Sequence, residues 1–246
     1  MFISSSVFWQ SLLISSLVLI IPIAFSIIED SYLAHNCLSS TRGEFTPGSA
    51  YEQSRLHLVD NLCANAPNKT GFWNASWAEV PNERAYGLAL CRGDVSPEDC
   101  ETCLTNATIT VVNTYCPNSR GAIIWHDYCQ LKYSDVDFLG QIDVDNHFSL
   151  ISNDYEYDAG FIESVVGFLS SLSETATFGG PATFFAEGTF LVNGTTELYG
   201  MVQCTRDLSV ADCKTCLYHA LNDLFTWTFR AGALVFHGSC NVRYET

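Results

Sequence analysis

The sequence predicts an α+β fold of two tandem small domains, each an antiparallel β-sheet packed with two helices and stapled by disulfides. Three observations predict it. A cysteine ruler, Cys-x8-Cys-x2-Cys, stands at Cys91, Cys100 and Cys103 and again at Cys204, Cys213 and Cys216, 113 residues on. Around it, "YGLALCRGDVSPEDCETCLTNA" (86–107) and "YGMVQCTRDLSVADCKTCLYHA" (199–220) agree at 11 of 22 positions. The match resumes where "GAIIWHDYCQLKYS" (121–134) answers "GALVFHGSCNVRYE" (232–245) at an offset of 111. A repeat of this length is a duplicated domain, because solenoid units run at roughly 20–50 residues.

The elements follow in the same order in each copy. Residues 1–26 read first as a signal peptide. No charge precedes Glu29, residues 12–25 form an apolar core too short for a comfortable membrane span, and Ala24 and Ser26 suit a cleavage site. The stretch lacks the usual Lys or Arg at its start. In "AYEQSRLHLVDNLCANA", Leu58, Val59, Leu62, Cys63 and Ala66 recur at helical spacing, with Pro47-Gly48-Ser49 as a starter. In copy two, Phe161, Val165, Phe168, Leu169 and Leu172 form the equivalent face. A strand, "RAYGLALC" or "ELYGMVQC", leads into the ruler. Ser96-Pro97-Glu98-Asp99 reads as an N-cap, a first-turn proline and acidic residues against the helix dipole, so a second helix carries Cys100 and Cys103. Ser209 to Asp212 repeat that start. The last element, 122–133 or 233–244, reads as one apolar strand. The acidic stretch 134–146 separates a first domain, 27–135, from a second, 136–246.

Composition narrows the function classes. Eleven Lys and Arg against 27 Asp and Glu leave a net charge of −16, which repels nucleic acid and anionic lipid. After the leader no segment approaches a membrane span. Four sequons, at Asn68, Asn74, Asn106 and Asn193, suit an exported glycoprotein.

The ruler admits three chemistries. Zinc needs four converging ligands, and the ruler supplies three thiols. His126 and His237 stand three residues before Cys129 and Cys240, and on one extended strand each would point away from its cysteine. A redox CxxC wants a βαβ context and a lone pair of thiols. Structural disulfides in an oxidising compartment remain, with no metal and no cofactor. Of Cys37, Cys91, Cys100, Cys103, Cys116 and Cys129 in copy one, copy two lacks counterparts of Cys37 and Cys116, and their joint absence suggests that these two pair. The other four cysteines of copy one can pair three ways, and closing Cys100 on Cys103 would constrain nothing.

The motifs CRGD-x-S-x-x-D-C-x-x-C-L and SCNVRYE resemble those of the plant cysteine-rich repeat secretory proteins, built from ginkbilobin-homologous, "stress-antifungal" domains. The resemblance covers nearly all of the chain after the leader. It implies Cys91–Cys100, Cys103–Cys129, Cys37–Cys116, Cys204–Cys213 and Cys216–Cys240, and leaves Cys63 as an unpaired, buried thiol. It also implies extracellular recognition in plants, by a lectin-like, antifungal or receptor-ectodomain relative. The mannose-binding positions of ginkbilobin fall on Leu38, Ile123 and Ser134 in copy one and on Leu234 and Glu245 in copy two, so that site is not expected here.

Other candidates shrink on inspection. Trp73 and Trp77 suit sugar stacking, a patch that a glycan on Asn74 would block. "DVDNHFSLISND" starts like a calcium loop, but Phe148 stands where glycine is required. No nucleophile elbow, phosphate loop or acid/base pair is recognisable. The reading is a secreted, non-enzymatic module of the apoplast for an unknown protein or carbohydrate partner, with a direct antifungal effector as the alternative.

Overall fold

The computed structural model describes residues 31–246 except 69, 156–158, 179–182, 193, 195 and 227–229. The predicted leader, 1–26, and the Asn193 sequon lie outside the described residues. In the first half, β1 (Tyr32–Cys37) and the short α1 (Ser39–Arg42) precede α2 (Ala50–Asn65), β2 (Phe72–Ala78) and β3 (Arg84–Cys91). Then come α3 (Pro97–Thr110), a π-helical turn (Val111–Tyr115), β4 (Gly121–His126) and β5 (Cys129–Ser134). The second half runs β6 (His147–Ile151), α4 (Ala159–Thr177), β7 (Phe185–Val192), β8 (Thr196–Cys204), α5 (Val210–Phe225), β9 (Gly232–His237) and β10 (Cys240–Glu245). Both sheets are antiparallel and share one topology, β1-β4-β5-β3-β2 and β6-β9-β10-β8-β7.

Local chemistry sets the helix starts. Ser49 caps α2 by accepting from Glu52 N at 3.3 Å, and the Glu52 carboxylate reaches back to Gly48 N, a reciprocal capping pair. Ser96 and Ser209 accept from Asp99 N and Asp212 N, each at 3.1 Å, at the starts of α3 and α5.

The last element of each copy departs from the sequence reading. It is a hairpin, broken by Asp127-Tyr128 and by Gly238-Ser239, and each sheet is closed by edge strands that the periodicity did not reveal, β1 and β6 beside the hairpin and β2 and β7 at the far edge. Trp125 pairs with Gln130, so His126 and Cys129 flank the turn across from each other. Facing residues of an antiparallel pair share a face. His126 and Cys129 therefore do not point apart as a single strand would have them.

Alternation along the central strands builds four layers, helices–sheet–sheet–helices. Ala122 and Ile124 of β4 face the helices of their own half, while Ile123 and Trp125 face the other sheet. Ala233 and Val235 of β9 do the same, and Leu234 and Phe236 meet Ile123 and Trp125. The sheets are thus buried on both faces. Polar side chains seal the junction around this apolar centre: Gln130 Nε2 donates to Gly238 O at 2.8 Å, and Gln203 Nε2 to Cys91 O at 3.0 Å.

Candidate functional site

The strand alternation that buries Val242 and Tyr244 against the second domain's helices turns Arg243 toward the first domain. There it meets Asp127, held out by the β4–β5 turn. Arg243 Nη1 lies 2.7 Å from Asp127 Oδ1, and Arg92 Nη1 lies 3.2 Å from Asp127 Oδ2. Arg92 also holds Asp94 at 2.6 Å, and Arg243 Nε holds Glu245. The result is a ladder of five alternating charges, Asp94–Arg92–Asp127–Arg243–Glu245, that crosses from one domain to the other. Burial lowers the Arg92 pKa, but hydrogen bonding and attraction to Asp94 and Asp127 outweigh it, and the net direction is up. Tyr128 lies under the Arg92 guanidinium, 4.6 Å from ring centroid to Cζ.

Asp127, Arg243 and Glu245 of the ladder form the shared wall of two open cavities. One, of about 500 Å³, runs past Leu33, Ile151 and Ser152. The other, of about 470 Å³, is lined by Tyr128, Glu187, Tyr199 and Met201. In the second, four carboxylates (Asp94, Asp127, Glu187, Glu245) against two guanidinium groups (Arg92, Arg243) leave two negative charges in excess. Tyr199 Oη donates to Glu187 at 2.8 Å, and burial followed by this carboxylate pushes the phenol's pKa up. The acids are held by guanidinium groups and a phenol, an arrangement suited to binding donor-rich polar ligands.

The family profile described as salt stress response/antifungal matches residues 36–136 and again 150–246. The chain belongs to the salt stress response/antifungal family. It is 40% identical over 233 residues to an antimicrobial ginkbilobin-2-like protein of Castanea crenata, covering 92% of this chain and 95% of that one. It is 38% identical over 219 residues to cysteine-rich repeat secretory protein 38 of Arabidopsis thaliana, covering 88% and 85%. The fold matches the tandem DUF26 ectodomain of the Arabidopsis thaliana cysteine-rich receptor-like protein PDLP8, with a TM-score of 0.75 at 24% identity over 88% of this chain and 98% of that one.

Within this salt stress response/antifungal chain the structure joins Cys37–Cys116, Cys91–Cys100, Cys103–Cys129, Cys204–Cys213 and Cys216–Cys240. The ruler's first bond ties the end of one strand to the helix that follows, and its third cysteine ties that helix to the hairpin. Cys63 is free and half-buried. The positions that correspond to a ginkbilobin sugar site do not form one. Ile123 and Leu234 are buried in the domain junction, and Ser134 is buried with its hydroxyl accepting from Val136 N. Leu38 precedes α1, and Glu245 joins the ladder.

Trp73 and Trp77 lie on the helix side of β2, where Trp73 Nε1 donates to Asn61 Oδ1 at 3.0 Å and Trp77 lies 5.3 Å from the His57 ring. Asn74 takes the alternate strand position and faces the opposite way. A glycan there would leave the tryptophan patch open, which corrects the sequence expectation. Asn68 and Asn106 are exposed and Asn74 is half-buried. Among the described residues, no helix is long and apolar enough to cross a membrane. Sequence reasoning missed Arg92, Asp127 and Arg243. No signal in the sequence marks them, because 122–133 reads as one continuous apolar strand.

Proposed function

We propose that the chain is a secreted, non-enzymatic recognition protein of the plant apoplast, active in stress or defence, that binds an extracellular protein or carbohydrate in the junction groove. The observation that carries this reading is the charge ladder, which fixes both domains around one open, polar, net-acidic wall. Export is supported by five disulfides, which persist in oxidising compartments, and by the secretory naming of the Arabidopsis relative. We place the domains at 27–135 and 136–246, because the connecting stretch bonds to the second: Gly140 N donates to Asp207 and Asp143 N to Ser239 Oγ.

The test is a titration of deglycosylated protein against arrayed cell-wall glycans and purified apoplastic proteins. Saturable binding that Tyr128→Ala or Glu187→Gln weakens about tenfold, the loss of roughly one good contact, supports the groove. Binding that both variants leave unchanged removes the groove from the function. The antimicrobial name of the Castanea crenata relative favours a second reading, direct action on a fungus. The net charge of −16 argues against a mechanism that relies on anionic membranes. Growth inhibition of hyphae by wild-type protein, retained when groove binding is lost, would select this reading.

A further inference from the structure

Two histidines and an aspartate from three separate elements of the second domain converge on one point. His147 opens β6 and is the register partner of His237, which closes β9. Asp223 lies in the last turn of α5. One ligand atom from each lies within 4.8 Å of the others, and Asp223 Oδ2 is 3.0 Å from His237 Nε2.

The remaining ring nitrogens settle the tautomers. Both Nδ1 atoms meet a single carbonyl, Val144 O, at 3.2 Å from His147 and 2.9 Å from His237. A carbonyl only accepts, so both Nδ1 atoms carry protons and both neutral rings present a lone pair at Nε2. Histidines that ligate metals are held in this way, the distant N–H donating to a carbonyl or carboxylate. The His237 lone pair then faces a carboxylate oxygen, and two acceptors at 3.0 Å call for a cation. Either a second proton on His237 or a metal ion supplies it, and the exposed His147 Nε2 beside them adds a third lone-pair donor that only a metal ion uses. His237 is 2% exposed, whereas Asp223 and His147 are exposed, so the cluster has a dry base and an open top.

We propose that His147, Asp223 and His237 form a binding site for a divalent transition-metal cation of the zinc type. Two imidazoles and one carboxylate are a set that zinc accepts with a fourth position left to water, while calcium and magnesium prefer all-oxygen cages. Zinc bonds of about 2.0–2.2 Å in a tetrahedron set ligand–ligand edges of roughly 3.3 Å, near the edge already present. The other edges, within 4.8 Å, shorten by a small pivot of the exposed His147 about its hydrogen bond to Val144 O. Copy one supplies an internal comparison. Tyr32 takes the place of His147 opposite His126, and at the ruler's offset of 113 Thr110 takes the place of Asp223. The full set therefore exists only in the second domain, where the cation ties the end of α5 to an edge strand.

The test is isothermal titration of the full secreted glycoprotein with zinc chloride in a non-chelating buffer, with thermal unfolding followed in parallel. One equivalent should bind saturably and raise Tm. His147→Ala and Asp223→Asn alter exposed residues, so they should fold, keep the metal-free Tm, and each weaken zinc binding about tenfold or more. His57→Ala should bind as wild type. Absence of saturable binding, binding indifferent to both variants, or binding abolished by alkylating Cys63 alone would overturn the proposal.

Discussion

Cys63 packs against α3, its Sγ 3.1 Å from Thr108 Oγ1 and 3.5 Å from the Leu104 carbonyl. Burial pushes the thiol's pKa up, and the Thr108 hydroxyl offsets this only in part. Since the thiolate is the nucleophile, a raised pKa and limited access both slow its chemistry. Iodoacetamide should therefore label native Cys63 about tenfold or more slowly than the same cysteine in the unfolded chain. Equal rates, followed by mass spectrometry, would show the thiol to be open. Arg55 presents the opposite case, a charge buried at 1% exposure inside an apolar layer. Its Nη1 donates to Pro117 O at 3.0 Å and its guanidinium faces the rings of Phe45 and Tyr133 at 4.7 and 5.7 Å. Cation–π contacts and a carbonyl thus take over solvation from water.

Helix α2 crosses its sheet at Gly87, and α4 crosses at Gly200, the glycines of the two Tyr-Gly pairs. A methyl at Gly87 would meet Lys132 O at 2.9 Å and the ends of Leu58 and Leu62 at 3.0 Å. At Gly200 it would meet Phe168 at 2.6 Å and Leu169 at 3.0 Å, both side chains. A backbone carbonyl in a sheet cannot give way, whereas a half-buried ring can turn. Gly87→Ala should accordingly cost about 1–3 kcal/mol and Gly200→Ala clearly less, measured by denaturant unfolding. A reversed order would show that helix α4, not α2, is the tighter packed. The repeated Tyr-Gly was legible in the sequence, and so were the helix faces and caps, because a 3.6-residue period and a Ser-x-x-Asp cap are local. The hairpins were not. Burial on both faces erases alternation in "GAIIWH", so nothing marks Asp127-Tyr128 as a turn. The edge strands were missed for a related reason, since the pairing of β1 and β6 with β4 and β9, and of β2 and β7 with β3 and β8, is decided by tertiary contacts. Likewise the groove and the His147–Asp223–His237 cluster join residues up to 116 positions apart, such as Asp127 and Arg243, which no spacing rule connects.

At the scale of the molecule, duplication leaves two equivalent cationic positions facing across the junction, Lys132 on β5 and Arg243 on β10, at the 111-residue offset. Arg243 finds Asp127 on the first hairpin turn. The same place on the second turn is Gly238, which has no carboxylate to offer. The connecting stretch supplies it: a side chain at Gly238 would run into the Asp143 carboxylate, which fills that space and meets Lys132 Nζ at 2.6 Å. The pseudo-symmetry of the junction is thus completed by a residue from outside the repeat. Both partners are largely buried, at 5% and 12% side-chain exposure. Burial pushes the Asp143 carboxyl up, but Lys132 and hydrogen bonds from Asn146 outweigh it, and the folded value lies below the ordinary one. A carboxyl depressed in the folded state stabilises above its unfolded pKa of about 3.9, and that contribution is lost as pH falls through the folded value. Asp143→Asn should lower stability near neutrality by about 3–5 kcal/mol, because it strands a buried ammonium. It should also flatten the acid limb of the stability–pH curve below about pH 4 relative to wild type. Replacing both partners, Lys132→Met with Asp143→Asn, should recover most of the neutral-pH loss while keeping the flattened limb. If the single variant retained the wild-type acid limb, the Asp143 carboxylate would not be the group that locks the two domains together.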